Sequence, residues 1–276
     1  MVTPVHGRHA HLTRQQESLA LGTRRPDHVV LVAMGDDAVA HLDLPVSASR
    51  RDVLTVPVDA HGLPLARARN HGVAHALALG ADVVVLLDVD VLAGPGLVAA
   101  YADAIAARPD VVWSGPVTYL PPAPVCTDGH GGRDGYDLDD LMAYDRPHPA
   151  RPAPAPGERV LGGEPDLFWS LSFGVSGAAW RTAGGFCEAY VGYGGEDTDL
   201  GHTLVDRGVG LGWDGSARGY HQHHPTTDPP TQHVDAILRN GAIFASRWGR
   251  WPMEGWLQAF AREGLVRQTA VGWERT

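Results

Sequence analysis

The stretch that most constrains this chain is VVVLLDVDVL, residues 83–92. A continuous Val/Leu run of this kind reads as a central strand of a parallel sheet, covered on both faces. Its apolar character ends at Asp88 and Asp90. Residues i and i+2 on a strand point the same way, so two such carboxylates repel and each raises the other's pKa. Left unpaired they are costly in a buried place. A divalent cation removes that cost. Oxygen ligands suit Mn²⁺ and Mg²⁺, and Mg²⁺ commonly sits between one or two carboxylates and substrate phosphates. The Asp88–Val89–Asp90 triplet therefore reads as a metal and diphosphate site. Taken alone, turn-forming aspartates at a strand end are the alternative.

The flanking sequence supplies the sheet. VTPV, HVVLVAM and DVLTVPV are strand candidates, and HAHLTRQQESLALG and LARARNHGVAHALALG have helical spacing with a Gly stop. This alternation argues for a mainly parallel sheet with helices on both faces. Ligands of such sheets sit at the carboxyl ends of the strands, where Asp88 and Asp90 lie. GPGLVAAYADAIAARPD reads as a further helix and VVWSGPVTYLPP as one more strand. Residues 121–167 are rich in Pro, Gly and Asp and read as a long excursion, either a surface loop or a substrate lid. The last stretch, from HVDAILRN onward, reads as helices carrying several Trp, with Trp248, Trp251 and Trp256 assigned to packing.

Composition narrows the partners. The 276 residues carry a net charge of −10 and no Lys, which argues against a nucleic-acid backbone as ligand. The two cysteines, Cys126 and Cys187, make neither a metal pattern nor a disulfide framework and are expected to be thiols. No run reaches the ~18 to 20 apolar residues of a membrane span. The expected location is the bacterial cytoplasm, or the inner membrane face as a peripheral protein. Nothing in the sequence speaks to oligomeric state.

Three segments carry a family resemblance. LLDVDVL looks like an Asp-x-Asp motif, ARARNHGVAHALALGADVVVLLDVD is similar to the helix that leads into it, and FGVSGAAWRTAGGFCEAYVGYGGEDTDLGHTLVDRG resembles the GWGGED segment of β-1,4-galactosyltransferases and bacterial chondroitin-type polymerases. The chain thus resembles the GT-A-fold, nucleotide-sugar-dependent glycosyltransferases over residues 1–120 and 168–225. The resemblance implies an α/β fold of GT-A (Rossmann-like) type. Residues 1–230 would form the catalytic domain, with 121–167 as a loop-rich insertion, and 231–276 a helical extension packed on it. It implies transfer of a hexose from a nucleoside diphosphate sugar, UDP-linked, to an acceptor hydroxyl on a saccharide, glycolipid or small natural product.

The same resemblance assigns residues. Asp197 would be the general base and Glu196 would bind sugar hydroxyls. An Asp rather than Asn at 197 implies inversion at the anomeric carbon. On residue chemistry alone, Glu196 and Asp197 are also good acidic residues for a helix start. Gly194 and Gly195 would let the backbone pass close to a sugar. Asp88, Asp90 and a His in YHQHHP would hold Mn²⁺ or Mg²⁺; His221 is the expected ligand, with His223 and His224 as alternatives. Asp36 takes the place of a uracil- or ribose-facing acid, with Asp37 beside it, and His6 and Arg8 lie near the nucleotide. Arg69, or else Arg67, would approach the base or diphosphate. Two other readings remain at this level: a nucleotidyltransferase acting on sugar phosphates, which would want a glycine-rich basic loop where the chain has PVHGRHAHL, and a non-catalytic carbohydrate-binding relative.

Overall fold

The computed structural model describes residues 1–123 and 135–276; Cys126 lies outside them. The first half alternates strand and helix: Val2–Val5 (β1), His9–Leu21 (α1), His28–Met34 (β2), Arg50–Val56 (β3), Leu65–Ala78 (α2) and Val83–Leu87 (β4). Val91–Ala93 (β5), Leu97–Ala107 (α3), Val111–Ser114 (β6), Val117–Tyr119 (β7) and Arg159–Leu161 (β8) follow. Next come Ser172–Ser176 (β9), Gly177–Ala183 (α4), Glu196–Asp206 (α5), Gly210–Asp214 (β10) and Gly219–His221 (β11). The chain ends in Val234–Trp248 (α6), Glu254–Arg262 (α7) and the hairpin Val266–Thr269 (β12) with Gly272–Arg275 (β13).

The main sheet has the order β3-β2-β1-β4-β9-β6-β10-β8. It is mostly parallel; β9 runs against β4 and β6, and β8 runs against β10. The apolar runs are explained by burial on both faces. In β2, Val30, Val32 and Met34 belong to one buried core that also holds residues of α2, α4 and α5, while Val29, Leu31 and Ala33 belong to a second that holds residues of α1 and α3. The period-2 alternation of side chains thus feeds two cores rather than one core and solvent. Each fully buried Val or Leu contributes roughly 1.5–3 kcal/mol of transfer free energy.

Two strands read as continuous are broken. VVVLLDVDVL divides into β4 and β5, and VVWSGPVTY divides into β6 and β7. In each case the second piece leaves the main sheet for a small one of order β5-β11-β7. At the second break a Cβ on Gly115 would come within 1.7 Å of the Ala217 carbonyl oxygen, so only glycine lets the chain cross there.

The described part of the excursion, residues 121–123 and 135–167, is more tied down than its composition indicates. β8 completes one edge of the main sheet, and Tyr136 and Leu141 form a small core with Leu92, Leu120 and Tyr220. The C-terminal part holds two helices as expected, but it also holds the β12–β13 hairpin, which the helical reading missed. Val234 and Ile237 of α6 pack with Leu257, Phe260 and Val266 in a core of their own.

Candidate active site

The Asp88–Asp90 segment is a turn, not the end of a strand. The Val91 N–H donates to the Asp88 carbonyl at 2.9 Å, and the Asp88 N–H donates to the Leu171 carbonyl at 3.0 Å. Gln15, fully buried on α1, donates through Nε2 to the Asp88 carbonyl at 2.6 Å. The two carboxylates therefore have different surroundings, which corrects the shared direction expected from strand spacing. Asp88 accepts from Arg69 Nη2 at 2.9 and 3.2 Å. Asp90 pairs with Arg8 and faces two imidazoles, His221 Nε2 at 3.6 Å and His224 Nε2 at 3.7 Å.

Asp90, His221 and His224 offer one ligand atom each, all within 4.8 Å of one another. Of the three histidines in YHQHHP, His221 and His224 converge. His223 is exposed; its carbonyl meets His11 Nε2 and its N–H donates to the Tyr136 hydroxyl. Burial holds His221 below the ordinary imidazole pKa although Asp90 opposes it, so the neutral, ligating form is favoured. A carboxylate with two imidazoles fits a divalent cation, and Arg8 shows that this carboxylate attracts positive charge.

Arg69 joins this turn to the acidic helix start. It is buried, its Nη1 donates to Glu196 Oε1 at 3.2 Å, and its Cζ lies 5.2 Å from the Phe186 ring centroid. Burial works against its charge, but Asp88 and Glu196 outweigh burial and its pKa is raised. It is thus enclosed by the carboxylates of Asp88 and Glu196. Arg67, the competing choice, pairs with Glu188 at the surface. Burial pushes the Asp88 carboxyl up to about 6 against the pull of Arg69.

Glu196 and Asp197 are the first residues of α5. Burial raises both carboxyl pKa values, and their mutual repulsion adds to it at Glu196. Asp197 Oδ1 accepts from the Thr198 N–H at 2.8 Å, and the Ser170 backbone facing this carboxylate works against the rise. Gly194 and Gly195 have φ of 86° and 92°. A Cβ on Gly194 would lie 2.8 Å from Met253 Sδ, and one on Gly195 3.1 Å from a Tyr190 ring carbon. Left-handed backbone and packing against these neighbours therefore explain both glycines.

Two residues that the motifs alone did not single out hold this loop from behind. Asn240 of α6 donates to the carbonyls of Tyr193 and Gly194 at 3.2 and 2.8 Å. Asp199, 1% exposed, accepts from Arg247 Nε at 2.6 Å, Trp248 Nε1 at 2.8 Å and the Tyr190 hydroxyl at 3.1 Å. Its signal was present only as a third acid in GGEDTD. Trp251 packs over Gly241 and Gly272, and Trp256 lies beside Tyr193.

Asp36 is held by the residues on either side of Arg8. It accepts from the Gly7 N–H at 2.7 Å and His9 Nε2 at 2.8 Å, and these partners lower its pKa despite burial. His6 Nδ1 meets the Met34 carbonyl at 2.7 Å, and Asp37 opens a short 3-10 turn.

Sheet order and helix placement define the GT-A fold of glycosyltransferases, as the solved structures show. S. aureus TarS, residues 1–349 with UDP-GlcNAc, superposes with a TM-score of 0.57 at 13% identity, covering 89% of this chain and 70% of that one. GalNAc-T7 with UDP, GalNAc and Mn²⁺ gives 0.53 at 13% identity, covering 95% and 56%. In sequence, the chain is 30% identical over 233 residues to validoxylamine A glucosyltransferase of Streptomyces hygroscopicus subsp. limoneus, covering 76% of this chain and 48% of that protein. The chain thus has the GT-A fold, and it spans about half the length of this curated relative. No family model matches it. Among the described residues, no helix is long and apolar enough to cross a membrane.

Proposed function

We propose that this protein is an inverting glycosyltransferase that moves a hexosyl group from a UDP-linked sugar to an acceptor hydroxyl. The observation that carries the reading is the convergence, through Arg69, of the Asp88–Asp90 turn with the Glu196–Asp197 helix start. Asp197 takes the proton of the acceptor hydroxyl as that oxygen bonds to the anomeric carbon. The carbon–oxygen bond to the diphosphate breaks on the opposite face. Glu196 accepts from sugar hydroxyls with the oxygen that Arg69 leaves open. Asp88 offers its remaining lone pairs to donor hydroxyls. Asp36 faces the nucleoside, and the backbone of Gly194 and Gly195 borders the sugar.

Asp90, His221 and His224 would hold a divalent cation, Mn²⁺ ahead of Mg²⁺, which when bound offsets the charge of the leaving diphosphate. Residues 1–230 act as the catalytic unit and 231–276 support the GGED loop through Asn240 and Arg247. The name of the curated relative makes a glucosyl donor and validoxylamine A the first pair to test.

The experiment is nucleotide release from UDP-glucose, UDP-galactose, UDP-GlcNAc, GDP-glucose and dTDP-glucose with Mn²⁺, with and without validoxylamine A. Transfer product from a UDP sugar is expected. Donor binding without turnover in any combination would leave a carbohydrate-binding protein instead. Conversion of a sugar phosphate and an added nucleoside triphosphate to a nucleoside diphosphate sugar, with release of pyrophosphate, would mark a nucleotidyltransferase.

A further inference from the structure

A run of aromatic rings joins the candidate metal cluster to the candidate base. Tyr119 of β7 and His221 of β11 are register partners, with ring centroids 4.6 Å apart and planes 22° apart. His148, from the excursion, lies 5.5 Å from Tyr119 and 5.0 Å from Trp169, edge-on to both. Its segment is fixed beside β7: the His148 N–H donates to the Val117 carbonyl at 2.9 Å, and Pro147 bridges to Thr118. Trp169 directly precedes Ser170, whose backbone faces the Asp197 carboxylate and works against the rise of its pKa.

The wall is braced from within. Arg151 is buried, with its Cζ 5.4 Å from the Trp169 ring and 5.0 Å from the Trp213 ring. Its Nε and Nη2 donate to the carbonyls of Leu167 and Trp169 at 3.3 and 3.4 Å. Yet the rings are not sealed into a core. Tyr119 is 48% exposed, and His148 and Trp169 are half-buried. A buried cation holding partly open aromatic faces in place is wasteful for packing alone, because exposed apolar surface gains nothing from being rigid.

We propose that Tyr119, His148 and Trp169 form the acceptor platform, on which a pyranose or cyclitol ring lies by its C–H face. The platform depends on the glycosyl-transfer reading. An acceptor hydroxyl must reach the anomeric carbon between the diphosphate end of the site, at Asp90, and the base, Asp197. The wall spans that interval. A six-membered ring with equatorial hydroxyls has axial C–H groups on its faces and a polar rim, matching a single open aromatic face beside carboxylates; the rings of the wall stand edge-on to one another, so each presents its own face. The 121–167 excursion then has a role in acceptor binding, since it supplies His148 and the bracing Arg151.

The test is saturation-transfer NMR and titration with methyl α-glucopyranoside, methyl β-glucopyranoside and myo-inositol in the presence of UDP and Mn²⁺. Wild-type protein should saturate the ring C–H protons. Tyr119→Leu keeps apolar bulk against His221 without an aromatic face, and Tyr119→Phe restores the face. The Leu variant should weaken binding of the ring probes about 5-fold or more, and the Phe variant should stay near wild type. UDP affinity, read in the same samples, should change less than affinity for the ring probes. Equal ring-probe affinity in the Leu variant and wild type, or no ring-probe binding by wild type, would overturn the proposal. Ring probes that bind while UDP does not would overturn the glycosyl-transfer reading, and with it the acceptor role, and leave the wall as a carbohydrate-binding surface.

Discussion

Arg69 Nη1 reaches Glu196 Oε1 across 3.2 Å, although 127 residues separate them in the chain. The same guanidinium holds Asp88. One buried cation therefore fixes the distance between the two acidic segments on which the proposed chemistry depends. Replacing one partner of a buried ion pair leaves the others uncompensated, at a cost of about 3–5 kcal/mol. Arg69→Met should lose stability on this scale in urea unfolding, whereas Arg67→Met, at the surface, should lose less than about 1 kcal/mol. Equal effects would mean that Arg69 is not the link described.

Asp197→Asn keeps shape and most hydrogen bonds but removes the basicity. With a UDP sugar and a working acceptor, kcat should fall by about 10²–10⁴ while UDP affinity stays near wild type. The wild-type product should have inverted anomeric configuration by NMR. A retained configuration would place the base elsewhere and leave Asp197 as a helix-start residue only.

The metal cluster makes a three-way comparison. His221→Ala and His224→Ala should each weaken Mn²⁺ binding at least about tenfold, measured by calorimetry. His223→Ala, whose residue lies outside the cluster, should not. EDTA should abolish transfer and Mn²⁺ should restore it; full activity in chelator would remove the metal from the reading.

Glu196 supplies a pH prediction. Burial and Asp197 raise its carboxyl above the ordinary 4.5, so the folded state binds its proton more tightly than the unfolded state. That contribution to stability is present below pH 4.5 and is lost as pH rises through the raised folded value. Glu196→Gln is neutral throughout. The stability of the variant relative to wild type should therefore be greater at pH 8 than at pH 4.5, by thermal melting in chelator. A gap that does not change with pH would contradict the raised value.

Asp199 ties α5 to α6 through Arg247 and Trp248, and also holds Tyr190. Asp199→Asn removes the charge that Arg247 balances and should cost about 3 kcal/mol or more. Because Asp199 lies two residues beyond Asp197, kcat should fall as well, with less change in UDP affinity. A stable variant with full kcat would show that the anchor does not position the base.

Much of the fold was legible because its causes are local or periodic. The Val/Leu runs of β2 and β4 announced strands buried on both sides, and Gly stops marked the ends of α1 and α2. The pairs DVD and GGED were legible as acidic clusters because their spacing is short. The tertiary structure decided what those acids do. Asp88 and Asp90 share a strand spacing but not a direction, because β4 ends at Leu87 and a turn intervenes before β5 joins another sheet. That break depends on pairing with β9 and β11, and nothing in VVVLLDVDVL encodes those partners. Likewise the sequence offered three histidines from the end of β11 onward, and only the path of the following loop brought His224 beside His221 and turned His223 away. The contacts of Arg69 and Asp199 and the Tyr119–His148–Trp169 wall join segments far apart in the chain. Such contacts follow from how helices and loops pack on the finished sheet, and residue spacing along the chain carries no record of them.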